Sequence, residues 1–400
     1  MGLLRRVLDS KGKVIDCEIP GGDWEWDGEG RMLMLPALID AHVHFRTPGA
    51  EHKEDWRHAA RAAVSGGITT VFDMPNTSPA TISLEAWKAK CALIDSQLAS
   101  AGIPLRYKLY LGADARHLDE VPKCRDVVAG LKIYMGSTTG NLLMADAAAW
   151  DQAFRVAAEN DLVVSVHAED EALIHSRTHS MLHTGADASL HSRIRCPEAA
   201  LIATNQAIAL AEKHGARLYI LHLSTAEELA SVAKAKERGV QVFCEVCPHH
   251  LFLSTLDYAK QGTRVQMNPP LRDPEHCEAL WEGIHSGIVD SIGTDHAPHT
   301  LEEKALPYGK APSGVPGVET LLPLLLNAYH EDRLSLGQIE ALTRWNNEEI
   351  FGLDTHNDVV LVDMDMELDV SSIALQTKCG WSPYADFRLK GWPVATVLRG

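Results

Sequence analysis

The 400-residue sequence has no apolar run near the ~20 residues that a membrane-spanning helix needs. Its opening residues, MGLLRRVLDSKGKVID, lack the apolar core and small-residue cleavage site of a secretion signal, so a cytoplasmic location is expected. Basic residues are in deficit. With 37 Lys and Arg against 54 Asp and Glu, the formal charge is −17, a field that repels phosphate backbones and anionic membranes. Neither a nucleic acid nor a membrane is therefore an expected partner. The eight cysteines are irregularly spaced, which favours reduced thiols over a disulfide framework. Cys244 and Cys247 form a CxxC with no second pair and no βαβ redox context, so strand packing is the simpler reading and metal or redox use the alternative. Phenylalanine is scarce and histidine is not. Twenty His against seven Phe point to metal or acid–base chemistry, unless the imidazoles are scattered over the surface.

Residues 1–35 are Gly-rich (GGDWEWDGEG) and read as small strands joined by tight turns. From Met34 onward, short apolar runs ending in polar residues alternate with segments of helical period. The runs are LMLPALIDAHVHF, TTVFDMPN, RYKLYLG, GLKIYMG, LVVSVHAED, RLYILHLS, VQVFCEVCPHH and IVDSIGTDHAPH. Near-continuous apolar strands imply a parallel sheet with helices over its outer face, and a count of eight closes into a (β/α)8 TIM barrel over residues 36–355. An open doubly wound sheet is the rival, but no GxGxxG follows a first strand. Short strand-like pieces return at 356–400 and are expected to pair with residues 1–35 as a small β satellite built from both termini. The stretch ALPYGKAPSGVPG (305–317) reads either as a substrate-facing loop or as a surface connector.

The polar ends of the runs fall where barrel enzymes keep their active sites. His42 and His44, two apart on a strand, point to one face ~6–7 Å apart, and together with other ligands they are able to share a metal. Alone the pair means little. The weight comes from accumulation, because eight histidines occupy five strand-end motifs: His42 and His44, His167, His222, His249 and His250, His296 and His299. Asp295 closes the eighth run, as a metal ligand and proton carrier or as a helix N-cap. Lys132 ends the fourth, and an ammonium has no lone pair for a metal; it is either neutralised and modified or outside the site.

The motifs HVHFRTPG, DMPNT, GLKIYMGSTTGN, VHAED, LHLS, CEVCPHHL, MNPPLR and TDHAPHTLEEK, in this order, closely resemble those of the dihydroorotases of the amidohydrolase superfamily. The resemblance runs from about Leu35 to Phe351, and CGWSPYADF (379–387) is similar to that family's C-terminal signature. It implies two zinc ions: His42, His44 and Asp295 on one, His167 and His222 on the other, with carboxylated Lys132 and a hydroxide bridging them. It further implies that Arg46, Asn76 and His299 receive the α-carboxylate of the substrate, that Asn268 touches the substrate, and that Asp295 moves the proton. The implied reaction is reversible hydrolysis of L-dihydroorotate to N-carbamoyl-L-aspartate in pyrimidine synthesis.

Glu245, His249 and His250 remain open between an accessory metal contact and support of other ligands. A sister cyclic amidase, a hydantoinase or allantoinase, would share the metals but has no α-carboxylate to offer Arg46. A non-catalytic scaffold is the reading from another class, and it should have lost ligands that are present here. Thr47 stands where many relatives carry an acidic residue. The satellite's completeness, and its part in a homodimer, are left open.

Overall fold

The computed structural model describes Leu4–Leu8, Val14–Cys17 and residues 32–398 apart from positions 139, 141, 184 and 355. The GGDWEWDGEG stretch, expected as strands and turns, lies outside the described residues, as do two positions of the GSTTGN motif.

Two sheet systems share the chain. Strands β1 (Leu4–Leu8), β2 (Val14–Cys17) and β3 (Met32–Pro36) belong to the satellite. The barrel follows as β4 (Leu38–Val43), β5 (Ile68–Asp73), β6 (Arg106–Leu109), β7 (Leu111–Gly112), β8 (Leu131–Tyr134), β9 (Val164–His167), β10 (Leu218–Ile220), β11 (Val242–Val246) and β12 (Ser291–Ile292). The long C-terminal strands β13 (Val359–Asp369) and β14 (Arg388–Leu398) return to the satellite, whose order is β2-β1-β14-β13-β3, antiparallel throughout. These are strands of 11 residues rather than the short pieces expected, and CGWSPYADF lies between them.

All neighbouring barrel strands are parallel. β6 and β7 are two halves of one strand interrupted at Tyr110, β6 pairing back to β5 and β7 forward to β8. The ring closes between its first and last members, where Val43 bridges His296 and the His44 amide donates to the His296 carbonyl at 2.8 Å. Asp40 reinforces the seam by accepting from the Thr294 amide (3.1 Å) and hydroxyl (2.5 Å). Counting the split strand once, the described residues form an eight-stranded barrel with a satellite sheet from both termini, the architecture expected from the alternating runs.

Strands buried on both faces can be continuous in hydrophobicity, and β4 and β5 are buried at every position. The connecting helices begin where a short polar side chain caps them: Asp55 before Trp56–Ser65, Ser83 before Leu84–Ala101, Asp146 before Ala147–Glu159 and Thr225 before Ala226–Glu237. One apolar run is divided. In LMLPALIDAHVHF, Pro36 ends the satellite strand, Ala37 donates to Asp358 on the satellite side (3.0 Å), and Leu38 donates to Gly67 on the barrel side (2.9 Å). A residue without an N–H suits that handover between sheets.

The upper end of β5 carries an ion pair. Lys90 Nζ meets Asp73 Oδ2 at 2.6 Å with both side chains almost wholly buried, while Asp73 Oδ1 accepts from the Phe45 amide at 2.7 Å. The pair thus anchors the turn that follows His44. Lys90→Met should leave the Asp73 carboxylate buried without its cation and cost about 3–5 kcal/mol, measured as the loss of stability in urea denaturation. A loss below ~1 kcal/mol would show that Asp73 does not depend on this cation.

Candidate metal centre and active site

The strand ends deliver their polar residues to one narrow cleft, lined by His42, His44, Arg46, Asn76, Lys132, Tyr134, Thr138, His167, His222, Asn268, Asp295, Ala297, Ser313 and Gly314. Every expected site residue is in that lining except His299, which lies fully buried beside Arg46. Alternation places His42 and His44 on one side of the chain at the end of β4. Barrel closure brings Asp295 across to them, its Oδ1 lying 3.2 Å from His42 Nε2 and 3.1 Å from His44 Nε2.

The proton positions in this trio follow from the outer contacts. His42 Nδ1 lies 2.8 Å from Glu245 Oε1, and His44 Nδ1 lies 2.9 Å from Asn76 Oδ1. Each ring thus has an oxygen acceptor at Nδ1 besides Asp295 at Nε2, and the tautomer with its hydrogen on Nδ1 turns the Nε2 lone pair inward, as a bound cation requires. Burial lowers the His44 pKa to about 4 despite Asp295, which keeps that ring neutral. Burial also opposes protonation of His42, yet Asp295 and Glu245 together raise its pKa. Asp295 itself is held well below the usual carboxylate range, burial being outweighed by His42 and His44. Two imidazole nitrogens and a carboxylate oxygen converging in this way form a donor set for a divalent cation, and the three residues make a group able to hold a metal ion.

The second half of the cleft has the same construction. His167 Nδ1 lies 2.9 Å from His222 Nε2, while His167 Nε2 faces Glu169 Oε2 at 2.9 Å. Glu169, fully buried, is also paired with Arg195. A buried glutamate therefore backs one histidine in each half, Glu245 behind His42 and Glu169 behind His167, the arrangement that fixes ring orientation in metal sites. Lys132 stands in the same cleft with 1% exposure and, among the described residues, no hydrogen-bond partner for Nζ, which lies 4.5 Å from the centre of the Tyr134 ring. Burial brings its pKa down to about 7, so a large share of the amine is unprotonated at neutral pH. An unpartnered, partly neutral amine among metal-type donors fits a lysine converted to an anionic ligand.

Several residues here occupy unusual backbone conformations. Arg46 (φ 62°), His222 (φ 39°) and Asp295 (φ 47°) are left-handed without being glycine, and such strain persists only where surrounding contacts impose it. Two glycines make room. A Cβ at Gly293 would meet Glu245 Oε2 at 2.3 Å, and one at Gly314, where φ is +138°, would meet the Ala297 carbonyl at 2.4 Å.

Arg46 is 7% exposed, and its Nε donates to the Pro298 carbonyl at 3.0 Å. Its Nη2 lies 3.1 Å from His299 Nε2. Lys53 Nζ lies 3.0 Å from His299 Nδ1 and has only hydrogens to give, so Nδ1 accepts and the ring proton sits on Nε2, directed at the Ser313 carbonyl 3.0 Å away. Burial, with Arg46 adding to it, lowers the His299 pKa to about 3 and keeps the ring neutral. A guanidinium thus faces another donor, and no carboxylate lies within ion-pair distance of it among the described residues. A corner of that make-up is suited to an anion. Asn268 Oδ1 is 2.9 Å from His191 Nε2, and His250 Nε2 is 3.1 Å from the Pro269 carbonyl, so two histidines brace the turn carrying Asn268. Of the open cases, Glu245 touches His42, and Cys247, His249 and His250 form a further buried donor group behind the site. Cys244 and Cys247 are both free, and burial pushes both thiols up.

Sequence reasoning passed over Tyr134, Glu169, Ser313 and Gly314. Tyr134 and Glu169 were detectable, each standing two residues beyond an expected ligand and so on the same side of its strand end. Ser313 and Gly314 lie in the stretch read as a substrate-facing loop or a surface connector, of which the first holds, though no signal picked out these two residues within it. They bring the 305–317 stretch to the cleft, where Lys304 Nζ fastens it by donating to the carbonyls of Gln266, Pro312 and Gly314 at 2.8–3.0 Å.

The profile of the amidohydrolase family matches residues 33–360. The chain belongs to the amidohydrolase family. It is 36% identical to a dihydroorotase of Halobacterium salinarum over 100% of this chain and 96% of that protein. It is 35% identical to the multifunctional protein CAD of Squalus acanthias, covering 92% of this chain but only 15% of that much longer protein. Among solved structures, an L-hydantoinase (dihydropyrimidinase) from Arthrobacter aurescens superimposes with a TM-score of 0.87 at 27% identity, over 98% of this chain and 91% of the other. Family membership and the full-length dihydroorotase relatives together make the chain a hydrolase acting on a cyclic amide, in agreement with the resemblance in its motifs.

Glu245→Gln keeps the size of the side chain that backs His42 but removes its charge. Zinc retention, measured by competition with a chromophoric chelator, should weaken by about 10–100-fold. Unaltered retention would show that Glu245 does not hold a metal-binding histidine in place.

Proposed function

We propose that this amidohydrolase is a dihydroorotase, opening the ring of L-dihydroorotate to N-carbamoyl-L-aspartate and closing it by the reverse path in pyrimidine synthesis. One observation carries the reading: inward-facing metal-type donors stand in the same cleft as a buried guanidinium without a carboxylate partner. Full-length likeness to dihydroorotases supports it.

His42, His44 and Asp295 would hold one zinc ion, His167 and His222 a second, and a carboxylated Lys132 would serve both. When bound, the two ions would polarise the ring carbonyl and lower the pKa of the attacking water. The chain's own side chains supply the rest. Arg46 is set to grip the α-carboxylate, its planar fork matching two oxygens at once. Asn76, on the same wall, orients both His44 and the carboxylate. His299 is set back, so its part is to flank Arg46 and close that corner to water. Asn268 borders the far side, where the ring's amide edge would lie. Asp295 is ionised, faces the donors of the first site, and carries the proton from the attacking water to the departing ring nitrogen.

A hydantoinase reading draws on the fold likeness. Against it, a neutral ring would leave the Arg46 charge buried and unmatched, an unfavourable arrangement. The scaffold reading requires lost ligands, whereas all the expected donors are present and converge on one cleft.

The direct test assays dihydroorotate, hydantoin and allantoin in parallel on one sample with its metal content measured. Dihydroorotate should be strongly preferred; faster turnover of hydantoin or allantoin would overturn the assignment. Removing metal with a chelator should abolish activity and added zinc restore it, while full activity in a demonstrably metal-free sample would sink the metal-dependent route. Arg46→Ala should raise KM for dihydroorotate by about 10–100-fold through loss of a charged hydrogen-bond pair. An unchanged KM would point to a neutral substrate.

A further inference from the structure

The CGWSPYADF stretch lies outside the barrel, between β13 and β14, yet it reaches the site. Its approach is fastened by two carboxylates. Glu319 accepts from the amides of Gln376 (2.8 Å) and Thr377 (3.0 Å). Glu54, fully buried, accepts from the Lys378 amide at 3.1 Å and from the Thr377 hydroxyl. Lys378 Nζ adds an ion pair to Asp55 at 3.0 Å. Three residues further on, the buried Trp381 donates its indole N–H to the His299 carbonyl at 2.8 Å and packs in one apolar cluster with Val315, Tyr384 and Trp392.

The carbonyl it takes is adjacent to another that matters. Pro298 presents its carbonyl to Arg46 Nε, and His299 presents the next one to Trp381. Successive carbonyls are coupled through the ψ and φ of the residue between them, so holding the second limits rotation of the first. Arg46 has left-handed backbone and depends on outside contacts to stay there. With Trp381 Nε1 removed, the His299 carbonyl would be left buried without a donor, and the 298–299 backbone would gain by turning to find one.

We infer that Trp381 is a positioning residue for substrate recognition: a side chain from the satellite's strand connection that aims Arg46 at the substrate carboxylate through the 298–299 backbone. The inference rests on the dihydroorotase reading, because it presupposes an anionic substrate group at Arg46. It also gives the satellite a role in specificity.

The test is steady-state kinetics on the full, metal-loaded chain with dihydroorotate. Trp381→Phe keeps an aromatic ring in the cluster and removes the N–H together with part of the indole's volume, a loss of volume that the control below shares. KM should rise about fivefold to twentyfold, the lower part of the range for an unsatisfied buried carbonyl, with kcat changed much less and metal content unchanged. Trp392→Phe is the matched control. Its indole also donates at 2.8 Å to a carbonyl, that of Leu389, in the same cluster but away from Arg46, and its KM should not move. Glu319→Gln, which loosens the 376–377 anchor from the other end, should raise KM in the same direction by a smaller factor, and it decides the matter if Trp381→Phe does not fold. Unchanged KM in Trp381→Phe, or equal rises in Trp381→Phe and Trp392→Phe, would overturn the inference. Absence of dihydroorotate turnover by the unsubstituted protein would instead remove the reading on which it rests, and the inference with it.

Discussion

Closure of the barrel between its first and last strands is the constraint on which the site depends. His42 and His44 stand on one side of that seam and Asp295 on the other, roughly 250 residues away in the chain. Their donor atoms meet only because Val43 bridges His296 and the His44 amide reaches the His296 carbonyl. Asp40 works at the same place. Burial raises its pKa to about 7, so its bonds to Thr294 and to the His42 amide are what compensate the loss of water. A parallel sheet that stopped short of closure would hold the same residues with Asp295 parted from His42 and His44.

Around that seam the protein meets the cost of desolvating many polar groups in one way. Three of the histidines facing the cleft have a polar partner behind them: Glu245 for His42, Asn76 for His44, Glu169 with Arg195 for His167. These contacts absorb one ring nitrogen and leave the other to face the cleft. Lys132 and Arg46 are the two cations without a carboxylate of their own in the cleft. Both sit where the chemistry proposed here would bring negative charge: a carbamate on the one, a substrate carboxylate at the other. The whole-chain charge of −17 therefore describes the outer surface and not this interior.

Much of the architecture was legible from the alternation of apolar runs with helical segments, since strands buried on both faces have little choice of residue type. Where the reading slipped, local contacts explain why. LMLPALIDAHVHF looks like a single strand because apolar content does not reveal which of two sheets takes each half; Pro36 and the divergent bonds of Ala37 and Leu38 do. The C-terminal strands looked short because Asp and Glu alternate through VVLVDMDMELD, as suits a sheet with one solvated face. At the site, Tyr134 and Glu169 were readable from strand alternation. Ser313 and Trp381 were not, because loops have no period and their contacts cross long stretches of chain.

The sequence by itself determined the inventory: which strand ends carry imidazole, carboxylate, amine and guanidinium, and, through motifs in a fixed order, the family to which they belong. Only the tertiary structure decided how those groups face one another. That Asp295 lies between two imidazoles and that the His299 proton is turned away from Lys53 depend on distances of about three ångströms between residues far apart in the chain. Strand period sets the side of the chain on which a residue stands, but such proximity comes from barrel closure and loop packing.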